Sequence, residues 1–139
     1  MFLGEYTLKL TGKGRVLLPL KMRQQVPGEN VVLSKGFEKC LFGYDEKQWE
    51  ITATQQLQNS SVVNLNARDI RRYLFSGAEI TSLDSQGRFV IPSALLKYAN
   101  ITNEVAIIGA GDHFEIWNQT EWKKKVKELE RTQAQNTSW

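Results

Sequence analysis

The chain has 139 residues, 41% hydrophobic and 24% charged, with a formal net charge of +3, the balance of an ordinary globular protein. Its longest apolar runs, such as Val16-Leu17-Leu18 and Val105-Ala106-Ile107-Ile108, fall far short of the roughly 18 residues that a membrane-spanning helix needs. The opening Met1-Phe2-Leu3-Gly4-Glu5 has no basic segment followed by a long apolar one, so a cytoplasmic protein without a signal peptide is expected, and a single cysteine, Cys40, excludes an intrachain disulfide.

Tyr6-Thr7-Leu8-Lys9-Leu10 alternates polar and apolar residues, as a half-buried strand does. Thr11-Gly12-Lys13-Gly14 reads as a turn, because glycine supplies the positive φ of a tight hairpin. Arg15-Val16-Leu17-Leu18 is the return strand, ended by Pro19, and residues 20–26 are expected to be a short helix. Val31-Val32-Leu33 and Cys40-Leu41-Phe42 then form a second strand pair across a loop containing Gly36. Cys40 is read as a packing residue within that pair. Asp45, followed three positions later by Gln48, opens a helix that carries Trp49. Residues 55–61 are polar and read as weakly structured. Residues 66–75 read as a helix capped by Asn66 or Asn64.

Residues 6–28 hold Lys9, Lys13, Arg15, Lys21 and Arg23 and no acid, which leaves the remainder of the chain at −2. Such a run fits either a solvated face or a polyanion partner. The Lys123-Lys124-Lys125 stretch with Lys127 reads as solvated surface, with a second phosphate-contacting patch as the alternative.

Shifted by 73 positions, the sequence falls on itself. Gly4 meets Gly77, Leu10 meets Leu83, Gly14-Arg15 meets Gly87-Arg88, Pro19 meets Pro92, Val32 meets Val105, Gly36 meets Gly109 and Trp49 meets Trp122. Asn118 and Glu121 repeat the helix-opening pair, and Trp122, Val126 and Leu129 are spaced to share one helix face. The expected organisation is a first repeat over 1–50, a helical connector over 51–76 and a second repeat with a C-terminal helix over 77–139. A unit of about 46 residues cannot bury enough surface to be stable alone, so the copies must share a core. Their charges differ: residues 4–49 sum to +3 and residues 77–122 to −4.

No motif of a hydrolase, kinase or dinucleotide enzyme is present. The lone His113 has no partner at metal-ligand spacing and is read as structural. The expectation is therefore a protein that is not an enzyme and has no cofactor, metal or small-molecule substrate.

Asp84-Ser85-Gln86-Gly87-Arg88-Phe89-Val90-Ile91-Pro92 and Thr11-Gly12-Lys13-Gly14-Arg15-Val16-Leu17-Leu18-Pro19 resemble the duplicated signature of the MraZ family. Met1-Phe2-Leu3-Gly4 and His113-Phe114-Glu115-Ile116-Trp117 are similar to it as well, and the resemblance covers residues 1 to about 130. It implies an α+β fold of two tandem AbrB-like swapped-hairpin domains with short helices, related by an internal pseudo-twofold. It also implies a nucleoid-associated bacterial transcriptional regulator. Such a regulator would act as a ring-shaped homo-oligomer on promoter direct repeats of the division and cell-wall gene cluster, with double-stranded DNA as its partner. The family's Asp-x-x-x-Arg motif is kept as Asp84 and Arg88, whereas Thr11 replaces the aspartate opposite Arg15. From the charge split, Lys9, Lys13, Arg15, Lys21 and Arg23 are the expected DNA contacts. Asp84 and Arg88 are expected to be structural or secondary, with the second copy supplying structure or subunit contact. The competing reading is a ring-forming scaffold that holds a protein partner.

Overall fold

The computed structural model describes residues 1–59 and 61–135. The first half runs β1 (Glu5–Lys9), β2 (Arg15–Leu17), α1 (Leu20–Arg23), β3 (Asn30–Lys35), β4 (Leu41–Asp45) and α2 (Glu46–Asn59). After α3 (Leu65–Ser76) the same order returns as β5 (Glu79–Ser82), β6 (Arg88–Val90), α4 (Ser93–Tyr98), β7 (Glu104–Gly109), β8 (Phe114–Asn118) and α5 (Gln119–Gln135). The fold is α+β, built from two tandem copies. Residues 136–139, which close the expected second repeat, lie outside the described residues.

The copies interlock. Six strands form one antiparallel sheet in the order β1-β7-β8-β4-β3-β5, and β2 pairs with β6 in a separate two-stranded ribbon. Each half thus gives its first strand to the other: among the described residues β1 pairs with β7 alone, and β5 with β3 alone. In the ribbon Val16 lies opposite Phe89, its own counterpart, so the internal dyad passes between them. Both side chains are buried, and they join Leu18, Ile91, Leu33 and Ile107 in a core drawn from both halves. The large apolar surface that neither copy can bury alone is covered by this exchange.

Strands β3, β4, β7 and β8 are buried on both faces. Val31, Leu33, Val105, Ile107, Phe114 and Ile116 face the ribbon side. Ala106, Ile108 and Trp117 face the opposite side, where Trp122 of α5 packs 5.4 Å from Trp117. In the first half the equivalent place is taken by Trp49 of α2, which meets Tyr44 at 5.3 Å and Phe75 of α3 at 5.9 Å.

A single 73-residue shift does not hold throughout. Asp45 and Asn118 are 73 positions apart, yet they pair with Val31 and Val105, which are 74 apart. The second half carries one more residue before β7 and one fewer in the turn after it: Gly36 N–H closes onto Cys40 O, but Ala110 N–H closes onto His113 O. Pro27 follows α1, which has four residues, whereas α4 has six and is followed, after Ala99, by Asn100 with φ +54°. Val32 therefore corresponds to Ala106 rather than Val105, and Lys35 rather than Gly36 corresponds to Gly109. Aligning Val32 with Val105 would place one strand's inward residues on its outer face.

Other local readings change in the same way. The helix expected over 20–26 stops at Arg23. Cys40 precedes β4 rather than belonging to it, and burial pushes its thiol up to about 12. Residues 55–59 continue α2 instead of forming a loop. Straight-chain Gln residues are good helix formers without an apolar stripe, and Arg71 of α3 donates to Leu57 O at 3.1 Å. Asn64, not Asn66, caps α3, accepting from Ala67 N–H at 3.1 Å. Asp45 and Asn118 accept from Gln48 N–H and Glu121 N–H at 2.9 and 3.1 Å. Tyr73 of α3 and Tyr98 of α4 both donate to Gly36 O, with Lys35 Nζ 5.5 and 5.6 Å from their ring centres, which ties the connector to the sheet.

On the α5 side of the sheet His113 sits half-buried between Asp112 Oδ1 (2.7 Å) and Glu115 Oε2 (3.1 Å), stacked against Tyr44. Burial alone would lower its pKa, but hydrogen bonds and charge from Glu115 and Asp112 outweigh it and raise the pKa above 6.5.

Two measurements check this architecture. Phe89→Ala, which empties the dyad, should cost about 3–5 kcal/mol of stability, read from urea unfolding. The folded-state pKa of His113 is raised, so its contribution is fully present below the ordinary imidazole value and is lost as pH rises through the raised one. Wild-type stability should therefore fall across that interval, and His113→Gln should flatten the profile there.

Candidate nucleic-acid interface

The ribbon is short and alternates. With Val16 and Phe89 turned inward, Arg15, Leu17, Arg88 and Val90 occupy its outer face. Leu17 and Val90 are each 41% exposed. Arg15 stands opposite Val90 and Arg88 opposite Leu17, so the two arginines lie diagonally on one surface. Charge alone divides the copies into an expected DNA-facing half and an expected structural half. The dyad instead brings the arginine of each copy to the same face. The apolar pair Leu17 and Val90 was missed, although the alternation of Arg15-Val16-Leu17 carried the signal.

Each end of the ribbon is closed by a glycine hairpin. In the first, Thr11 N–H donates to Arg15 O (2.8 Å) and Arg15 N–H to Thr11 O (3.0 Å), with Gly12 at φ +55° and Gly14 at φ +82°. In the second, Asp84 N–H donates to Arg88 O (2.8 Å), but the return bond differs. Asp84 Oδ1 accepts both Gln86 N–H and Arg88 N–H, each at 2.9 Å. The hydrogen bond from Arg88 N–H, with that from Gln86 and the charges of Arg88 and Arg15, holds the Asp84 carboxyl below its ordinary value. Asp84 thus supports Arg88 through its backbone, and no ion pair joins their side chains among the described residues. In the first hairpin the Thr11 hydroxyl donates to Arg15 O (3.5 Å), and the Arg15 amide is received by the Thr11 carbonyl.

The five cations expected as contacts do not form one cluster. Lys13 and Arg15, with Thr11, Gly12 and Val90, line a shallow concavity of about 280 Å³ at the first end. Lys9 is exposed at the end of β1, opposite Glu104 in the sheet register. Arg23 crosses to the second end: a Cβ added to Gly87 would lie 2.1 Å from Arg23 Nη1. There Arg23 shares a concavity with Glu29, Asp84 and Ser85. Lys21 is exposed on α1 and lines neither concavity. The lysines of α5 are partly engaged, Lys125 with Glu38 at 2.8 Å and Lys124 with Glu121 at 3.4 Å. Among the described residues no helix is long and apolar enough to cross a membrane, and no cluster of three metal-ligating side chains occurs.

A paired-arginine ribbon on two interlocked copies is the arrangement that a duplicated family should produce, and both copies match one family model. The description of that model is "MraZ protein, putative antitoxin-like", and the matches cover residues 1–73 and 74–138. The chain belongs to the MraZ family. It is 43% identical over 124 residues to a protein of Alkaliphilus oremlandii (89% of this chain, 85% of that one). It is 40% identical over 126 residues to one of Caldicellulosiruptor saccharolyticus (91% and 87%). It is 39% identical over 124 residues to one of Clostridium tetani (89% and 86%). Each of the three carries the name Transcriptional regulator MraZ. Within this MraZ-family chain the two copies differ at the start of the hairpin, with Thr11 in the first and Asp84 in the second.

Gly87 tests the second hairpin. Its φ of +84° costs an L-residue roughly 1–2 kcal/mol, and the added methyl would strike Arg23. Gly87→Ala should lower stability by at least that amount and displace Arg23, seen as changed guanidinium resonances in NMR spectra.

Proposed function

We propose that this chain is a sequence-specific transcriptional regulator of double-stranded DNA. In this reading it acts in the cytoplasm at the nucleoid and represses the bacterial division and cell-wall gene cluster. It needs no cofactor. The observation that carries the reading is the placement of Arg15 and Arg88 on the outer face of one two-stranded ribbon, with Lys13 near Arg15 at one end and Arg23 at the other. A ribbon of this width fits the major groove, where arginine can bond bidentately to guanine and lysine to phosphate. Leu17 and Val90 offer apolar contact to thymine methyl groups. The names of the relatives point the same way.

One ribbon makes few contacts, so the working form is a ring-shaped homo-oligomer that engages several promoter direct repeats at once. Edge strands β1 and β5, with Ile80 63% exposed on β5, support such closure, since uncovered edges invite pairing.

A gel-shift titration at several salt concentrations, on the region upstream of the coding sequence, tests the reading. Affinity should fall steeply with salt. Arg15→Ala should weaken binding tenfold or more, about 1.4 kcal/mol, while remaining folded and assembled by sedimentation. Arg88→Ala should weaken it less, because Asp84 already offsets part of its charge. Salt-independent binding would favour the scaffold reading. Loss of binding in Arg88→Ala alone would reverse the assignment of the two ends.

A further inference from the structure

The backbone of the ribbon obeys a dyad that its side chains break. Leu18 N–H donates to Gly87 O at 2.9 Å and Ile91 N–H to Gly14 O at 2.8 Å, which are the same bond seen from either half. Two such ends, if their side chains matched, would fit a duplex equally well in both directions. They do not match. The first hairpin carries Lys9, Thr11, Lys13 and Arg15, and the second carries Ser82, Asp84, Gln86 and Arg88 at the same places. The supporting helices differ too. Leu96 packs where a Cβ on Gly14 would sit, whereas Arg23 packs at Gly87. The first end therefore sets Lys13 and Arg15 in one concavity that no acid lines. The second sets Asp84 against Arg88 and Arg23, with Glu29 in the same concavity.

We propose that Thr11, Lys13, Asp84 and Gln86 fix the direction in which the ribbon lies on DNA, with the Thr11–Lys13 end on the strongly bound half of the site and the Asp84–Gln86 end on the weak half. The inference rests on the DNA-binding reading above. Its physical basis is that a carboxylate beside a phosphate or a purine acceptor is repelled, while Lys13 at the matching place is attracted. A lysine contributes a released counterion that a glutamine cannot. Asp84 keeps its charge because its hairpin uses the carboxylate as a double acceptor. The same bonds that shape the second end thus hold an anion on the binding face.

The test is selection from a random-sequence duplex library. Wild type should enrich a motif without internal self-complementarity. Asp84→Thr combined with Gln86→Lys copies the first end onto the second. The first hairpin closes with threonine beside Gly12 at φ +55°, where the second has Ser85, so folding and assembly of the double variant are read first by sedimentation, and its selected motif should become self-complementary. Gln86→Lys alone keeps the backbone N–H that Asp84 accepts and should strengthen the weak half only. Thr11→Asp with Lys13→Gln should lose the strong half and bind at least tenfold more weakly. A self-complementary wild-type motif, or an unchanged one-way motif in the assembled Asp84→Thr/Gln86→Lys protein, overturns the inference while leaving DNA binding standing. No enrichment by any form overturns the DNA-binding reading itself, and this inference with it.

Discussion

Val16 lies opposite Phe89, and nearly everything else in the molecule follows from that pairing. It sets the dyad, and it forces the strand after each hairpin to meet its counterpart rather than its neighbour. It also leaves β1 and β5 to find partners in the opposite half. Burial of two apolar side chains at the crossing fixes the phase of the ribbon. A residue on either side of a buried strand position must point outward, so Arg15, Leu17, Arg88 and Val90 are displayed as a consequence of the core. The binding face and the core are therefore two sides of one constraint. A change that lets the ribbon slip by one residue would bury two guanidinium groups and expose Val16 and Phe89.

Much of this was legible in the sequence because the signals are local. The alternation in residues 6–10, the glycines of both turns and the prolines after each ribbon strand mark the hairpins, and the repeat shows that they occur twice. Asp45 and Asn118 mark two helix starts by side-chain chemistry alone. What could not be read is non-local. Residues 55–59 have no apolar stripe, and their helix extends an earlier one and leans on α3. The extra residue before β7 is hidden because Val32 and Val105 are identical, although they face opposite sides of the sheet. The crossing of Arg23 to the second hairpin depends on the strand exchange, which no window of sequence contains.

The charge split between the copies was visible as a sum, but its meaning depends on placement. Counting by copy suggests one half for DNA and one for structure. Counting by ribbon end gives a gradient along a single surface, with Thr11 and Asp84 at its poles. The difference between Thr11 and Asp84 has a definite structural counterpart: the Arg15 amide is received by a backbone carbonyl where the Arg88 amide is received by a carboxylate. The hairpin remains closed, and the charge is gone.

The strand exchange also dictates when the protein can fold. Lys9 pairs with Glu104, and Asn30 with Ser82, so neither sheet edge can form until most of the chain has left the ribosome. Contacts of such long sequence separation are closed late and slowly. Until then β1 and the first ribbon strand remain without their partners, with Val16 and Leu18 uncovered. In return, the exchange occurs within one polypeptide. A pair of separate single-copy proteins would have to meet by diffusion and would come apart on dilution. Here the connector through α2 and α3 makes the encounter first-order, and the interlocked state persists however scarce the protein is in the cell.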